Sequence, residues 1–254
     1  MGRIAKRLKD IHGLGLILQP RNSSREYMAE FLERAACSLP AGGLVLDAGA
    51  GENAPYRNCF LQHRYESADI VPGAVTYVCD VASIPVEDDR FDIVVCTQVL
   101  EHVPEPTVVL AELYRVLKPG CKLWLSAPFY YEEHLQPYDF FRYTRFGMRS
   151  LIERAGFVIE ELIPLEGYFG ALSYQMHVAR RCLPIRPAAY GGGVIGDFAA
   201  VLALLMRPAS FVLSQAYAGL DRRSKFEDEG HCKNYCVVAT KPNKTDFAVL
   251  RAEL

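Results

Sequence analysis

The chain has 254 residues, half of them apolar and 23% charged. That size and composition supply a large core, exclude global disorder, and fit one large α/β domain with an insertion better than two domains. Lys and Arg number 28 against 30 Asp and Glu, a net charge of −2. Without a basic field to meet phosphates, a dedicated nucleic-acid binder is disfavoured.

Residues 1–20 form a basic, glycine-interrupted arm with Arg3, Lys6, Arg7 and Lys9. The apolar stretch 14–18 is broken by Gly15 and is too short for a signal peptide. Lys6 stands where a myristoylation motif carries Ser or Thr. The longest unbroken apolar run, residues 198–206, is well below the roughly 18 residues needed to span a bilayer. Eight cysteines are scattered without a C-x-x-C pair, which reads as buried thiols in a reducing compartment. The expected location is cytoplasmic. His231, Cys232 and Cys236 cluster but lack a fourth ligand at matching spacing, so no zinc site is expected there.

Ser23 or Ser24 can cap a helix with Tyr27, Met28, Phe31, Leu32 and Ala35 on its apolar face. Pro40-Ala41-Gly42-Gly43 ends it. Residues 44–46 read as a buried parallel strand that runs into Asp47-Ala48-Gly49-Ala50-Gly51-Glu52-Asn53. Further strands are expected over 64–69, 75–79 and 91–97. Pro104-Glu105-Pro106 then opens a helix with Val109, Leu110, Leu113, Val116 and Leu117 as its buried stripe. Lys118-Pro119-Gly120 stops it, and a strand over 121–127 follows. Thr144 can cap a helix that ends at Gly156, with strands over 157–164 and 234–240 after it. This alternation predicts an α/β, doubly wound sheet.

Residues 168–228 interrupt the alternation. Phe198, Val201, Leu202 and Leu205 share a helical face, and Arg180, Arg181, Arg186, Arg207, Arg222 and Arg223 flank the apolar segments. The expected division is a basic arm with the first helix (1–40), a core (41–167 with 229–254) and a helical insertion (168–228). The insertion leaves three readings open: a lid packed on the sheet, a homodimer face, or a peripheral membrane contact serving a lipid-linked substrate.

Gly49, Gly51 and Ala54 satisfy G-x-G-x-x-A after a strand, a pattern shared by many nucleotide binders. Three acids sharpen it. Asp47 precedes the first glycine, Asp69 closes the second strand where a carboxylate can accept ribose hydroxyls, and Asp80 closes the third near an adenine amine. All three gather at the carboxyl edge of a parallel sheet.

The stretch Val45-Leu46-Asp47-Ala48-Gly49-Ala50-Gly51 resembles the first motif of class I S-adenosylmethionine-dependent methyltransferases. Residues 80–85, residues 91–103 and Leu117-Lys118-Pro119-Gly120 resemble three further motifs of these enzymes, in the type 11 subgroup. The resemblance implies a Rossmann-like seven-stranded sheet of order 3-2-1-4-5-7-6, with strand seven antiparallel. It implies S-adenosyl-L-methionine as cofactor. It places Asp47, Ala48, Gly49, Ala50 and Gly51 at the methionine moiety, Asp69 and Ile70 at ribose and adenine, Asp80 and Val81 at adenine, and Thr97, Gln98 and Val99 at the floor near the sulfonium. Asn53 stands where a third glycine is commoner, so an amide contact replaces a backbone one.

Residues 127–144 follow the fifth strand and are similar to a group of methyltransferases associated with surface-glycan gene clusters. They are expected to overhang the methyl group, with a small-molecule or glycan hydroxyl as acceptor. His134 is the candidate base. Asp139 would orient it, Arg142 and Tyr143 would supply donors, and Phe129, Tyr130, Tyr138 and Phe141 would form a stacking wall. Glu101 and His102 show no partner ligand in the sequence, and a sulfonium donor needs no Lewis acid, so no metal is expected. Two other functions share parts of this pattern: an NAD-dependent Rossmann oxidoreductase, and a non-catalytic cofactor-binding protein that docks a partner or membrane through the insertion.

Overall fold

The computed structural model describes residues 23–228 and 230–243. The basic arm lies outside the described residues. The chain divides into two compact units, one built on Glu26–Leu165 and the strand that follows Cys232, the other on Glu166–His231.

In the first unit α1 (Ser23–Cys37) precedes β1 (Leu44–Ala48), β2 (Arg64–Asp69), β3 (Tyr77–Val78) and β4 (Phe91–Thr97). Then come α2 (Pro106–Val116), β5 (Leu117–Pro128), α3 (Arg145–Arg154), β6 (Val158–Pro164) and, after the second unit, β7 (Asn234–Thr240). The seven strands stand in the order β3-β2-β1-β4-β5-β7-β6. β7 runs antiparallel to both β5 and β6. β3 is shorter than expected, because only Tyr77 and Val78 pair, opposite Ala68 and Asp69.

Helices cover both faces. Tyr27, Met28, Phe31, Leu32 and Ala35 of α1 are buried against Val45, Val95, Trp124 and Val238 on one face. The α2 stripe of Val109, Leu110, Leu113 and Val116 packs with Met148 and Ile152 of α3 on the other. Burial on both faces explains why β1 and β4 are apolar without alternation. The Thr144 side chain caps α3 by accepting from the Gly147 N–H. These layers bring the ends of β1, β2 and β4 to one sheet edge, where open α/β sheets bind ligands.

The second unit is a helical hairpin of α4 (Tyr168–Cys182) and α5 (Gly193–Arg223). Phe198, Val201, Leu202 and Leu205 do share one face, but that face is exposed. The buried positions of α5 are Gly196, Ala200, Ala203, Ser210, Ser214, Ala218 and Asp221. Small residues there let α4 approach closely, and Ser173 Oγ donates to the Ser214 carbonyl at 2.7 Å. The helix continues through Pro208, so the nine-residue apolar run understated its extent. Among the described residues, α5 is the one helix long and apolar enough to cross a membrane.

Candidate active site

β1 ends in Asp47, and the chain then turns through Gly49 at φ +81° and Gly51 at φ +69°. A Cβ on Gly49 would lie 2.2 Å from a Val99 methyl group, so only glycine fits. The loop borders a cleft of about 330 Å³ lined by Asp47, Gly49, Ala50, Gly51, Glu52, Asn53, Pro55, Tyr56, Thr97 and Gln98. Seven of these were expected from the sequence. Glu52, Pro55 and Tyr56 were not.

Asp47 is 1% exposed. The Tyr65 hydroxyl donates to its Oδ2, and Oδ1 is buried without a partner. Burial pushes the carboxyl up to about 6 against the opposing effect of the Tyr65 hydrogen bond. Asp69 accepts from the Gly51 N–H at 2.7 Å and from the Val71 N–H at 2.8 Å, so the end of β2 shapes the glycine turn. Ile70 beside it is exposed. Asp80 is exposed and accepts from the Ala82 N–H, while Val81 is buried in the core. Val99 packs beneath Gly49 rather than lining the cleft. Gln98 adopts φ +56°, a left-handed conformation fixed at both ends: its N–H donates to the Ser126 carbonyl and its amide to the Ser126 hydroxyl.

Beyond β4, Leu100–His102 forms a short 3₁₀ turn. Beyond β5, the irregular segment 129–144 folds onto it, and Glu101 O accepts from Phe140 N at 2.7 Å. The rings of His102 and His134 meet edge to face, with centroids 4.6 Å apart. Asp139 accepts from the His134 N–H at 2.7 Å, and its carboxylate lies 3.4 Å from His134 Nδ1. Arg142 grips both Asp139 oxygens at 2.7 and 2.8 Å and holds that carboxyl well below the usual carboxylate range. Glu101 is fully buried, and desolvation pushes it up to about 8.

Two of the expected donors are committed elsewhere. Arg142 spends its remaining N–H groups on the carbonyls of Tyr131, Glu132 and Phe141. It clamps the loop instead of facing an acceptor. Tyr143 is buried, and its hydroxyl donates to the Leu100 carbonyl at 2.8 Å. Of the aromatic wall, Tyr130, Tyr138 and Phe141 are exposed, but Phe129 packs against Tyr235.

The sheet order with its antiparallel β7 and the glycine-loop cleft define the class I S-adenosylmethionine-dependent methyltransferase fold. It differs from the 3-2-1-4-5-6 order of dinucleotide-binding Rossmann domains. Residues 46–125 match the family model described as a methyltransferase domain, type 11. The ubiquinone biosynthesis O-methyltransferase of Xanthomonas axonopodis pv. citri is 33% identical over 141 residues, 48% of this chain and 56% of that one. Its counterpart from Xanthomonas oryzae pv. oryzae is 44% identical over 64 residues, 25% of this chain and 26% of that one. The chain thus matches between about a quarter and just over half the length of these two relatives. Two solved structures share the fold. A Haemonchus contortus phosphoethanolamine N-methyltransferase in complex with S-adenosyl-L-methionine has TM-score 0.53 at 16% identity, covering 85% of this chain and 52% of that one. A Burkholderia thailandensis 1,6-didemethyltoxoflavin-N1-methyltransferase has TM-score 0.51 at 16% identity, covering 95% and 87%.

Proposed function

We propose that the protein transfers a methyl group to a hydroxyl of a small molecule or glycan. S-adenosylmethionine, when bound, supplies an electrophilic methyl group on a sulfonium. The residues present fit it. The unpartnered Oδ1 of Asp47 awaits a cationic donor such as an ammonium, and the glycine turn leaves room for close approach to backbone N–H groups. On this reading the loop Ala48–Gly51 and Asn53 hold the methionine part. Asp69 takes the ribose, Ile70, Asp80 and Val81 border the adenine, and Thr97 and Gln98 form the floor that Val99 supports.

The observation that carries the hydroxyl assignment is the tautomer of His134. Its Nδ1 lies 3.1 Å from the Glu132 carbonyl, which can only accept, so Nδ1 carries the proton and Nε2 has the free lone pair. That lone pair takes the acceptor proton, and Asp139 steadies the ring. The partial relatedness to O-methyltransferases supports the same acceptor atom. The test is transfer of a labelled methyl group across a panel of phenols, sugar nucleotides and glycosides. His134→Ala should lower turnover at least about 100-fold with cofactor affinity within a few-fold. Full activity in that variant on a true acceptor would overturn the role.

The hairpin is proposed to rest on the cytoplasmic face of a membrane that contains anionic lipid. None of the eight cysteines forms a disulfide, which fits a reducing compartment. α5 is inverted relative to a soluble helix, with Ile195, Phe198, Val201 and Leu205 outward and small residues inward. Packing through small residues with large apolar ones outside suits an apolar medium. Residues 168–223 carry six arginines against Asp197 and the buried Asp221, the charge complement of anionic headgroups. Sedimentation with phosphatidylglycerol vesicles should pull down the protein, and Ile195→Glu with Phe198→Glu should abolish it. A stable dimer in light scattering that those substitutions dissociate, with no vesicle binding, would assign the face to self-association.

A further inference from the structure

Lone-pair-bearing atoms of Glu101, His102 and His134 converge beyond β4. Glu101 is wholly buried, and neither side-chain oxygen has a hydrogen-bond partner. His102 Nδ1 lies 2.6 Å from the Tyr138 carbonyl, so it too carries its proton on Nδ1 and leaves Nε2 bare, like His134. His102 Nε2 is 3.8 Å from Glu101 Oε1. One ligand atom from each of Glu101, His102 and His134 lies within 4.8 Å of the others. A cation among these atoms would stabilise the buried Glu101 carboxylate and would accept both imidazole lone pairs.

We propose that Glu101, His102 and His134 bind a divalent cation of the zinc class. Imidazole nitrogen and carboxylate oxygen together favour zinc or cobalt over magnesium or calcium. An Nδ1–H bonded to a backbone carbonyl is also the usual outer support of a metal-ligating histidine, and both histidines have it. Bonds of about 2.0–2.1 Å require the ligand atoms to draw closer than they stand, by side-chain rotation. Three protein ligands leave a fourth position open to water or an oxygen ligand.

Taken with the reading of His134 as base, on which this consequence alone rests, the cation and the acceptor proton compete for one lone pair. Zinc-loaded protein is then the inactive form, and a chelator restores it.

The test is calorimetric titration of the full chain with zinc chloride, without cofactor or acceptor. One equivalent should bind, and His102→Ala, His134→Ala and Glu101→Gln should each weaken binding at least about tenfold. S-adenosylhomocysteine binding measured on the same variants shows that each is folded. Cobalt should give visible bands of a four-coordinate site without the near-ultraviolet thiolate-to-metal band that ligation by the free cysteines would produce. Unchanged affinity in the three variants, or a thiolate band, would overturn the proposal. Failure to find any methyl acceptor would leave this result standing, because neither acceptor nor cofactor enters the titration.

Discussion

The Tyr65 hydroxyl binds one oxygen of Asp47 and leaves the other buried and unpaired at the wall of the cleft. The Asp47 carboxyl is raised to about 6, so the folded apoprotein binds its proton more tightly than the unfolded chain does. Its ionisation therefore costs stability as pH rises from the usual carboxylate range through about 6. A cationic ligand needs the ionised form. Affinity for S-adenosylhomocysteine should fall up to tenfold per pH unit below about 6 and level off above it. Asp47→Asn should remove that dependence. Titration calorimetry between pH 5 and 8 checks both, and an affinity independent of pH in the wild type would contradict the pairing.

Gly49 and Val99 set a second expectation. Gly49→Ala places a Cβ 2.2 Å from the Val99 side chain at φ +81°. Overpacking together with a left-handed backbone should cost about 1–3 kcal/mol and close part of the cleft. Thermal unfolding reads the first effect and S-adenosylhomocysteine titration the second. Adding Val99→Ala should recover part of the stability but not the backbone cost.

The glycine turn and the acids at the strand ends were legible because each sits within a few residues of its neighbours in the motif, and the sheet order came with the family those motifs resemble. Tyr65 was not. It reaches Asp47 only because β1 and β2 pair with Asp47 opposite Ser67, two residues beyond Tyr65. Pairing register is not written in either strand alone. The meeting of His102 with His134 was hidden for the same reason, since 31 residues, with a helix and a β-strand among them, separate them. Arg142 and Tyr143 read as free donors because a sequence does not show that loop carbonyls already occupy them. Which side of α5 is buried was not legible from the apolar spacing. Shared apolar spacing marks a face, but small residues at Ala200, Ala203 and Ser214 decided which side was buried.

Asp139 and Arg142 should govern the loop. The Asp139 side chain is 3% exposed, and its carboxyl is held low by Arg142. A depressed carboxyl contributes stability above its unfolded value near 4, and loses it as pH falls below that toward the folded value. Arg142→Met removes the bidentate partner while the His134 N–H stays, and should cost about 1–3 kcal/mol at neutral pH. The deficit should shrink below pH 4. Denaturant melts at pH 7 and about pH 2 check this, and an equal deficit at both would assign the loss to packing.

Within the hairpin, Ala203→Leu should overpack its buried surroundings, at about 1–3 kcal/mol. The reverse change at the exposed Leu205, to Ala, should be near neutral for folding in water. Paired urea melts distinguish them. Equal effects would contradict the inverted packing.

Calorimetric titration with S-adenosylhomocysteine, against NADH as control, tests the central assignment most directly. The wild type should bind one equivalent of S-adenosylhomocysteine at micromolar affinity and give no heat with NADH. Asp69→Ala should weaken binding at least about tenfold, because that carboxylate holds the Gly51 N–H and is assigned the ribose. Binding of NADH without S-adenosylhomocysteine, or unchanged affinity in Asp69→Ala, would contradict the account.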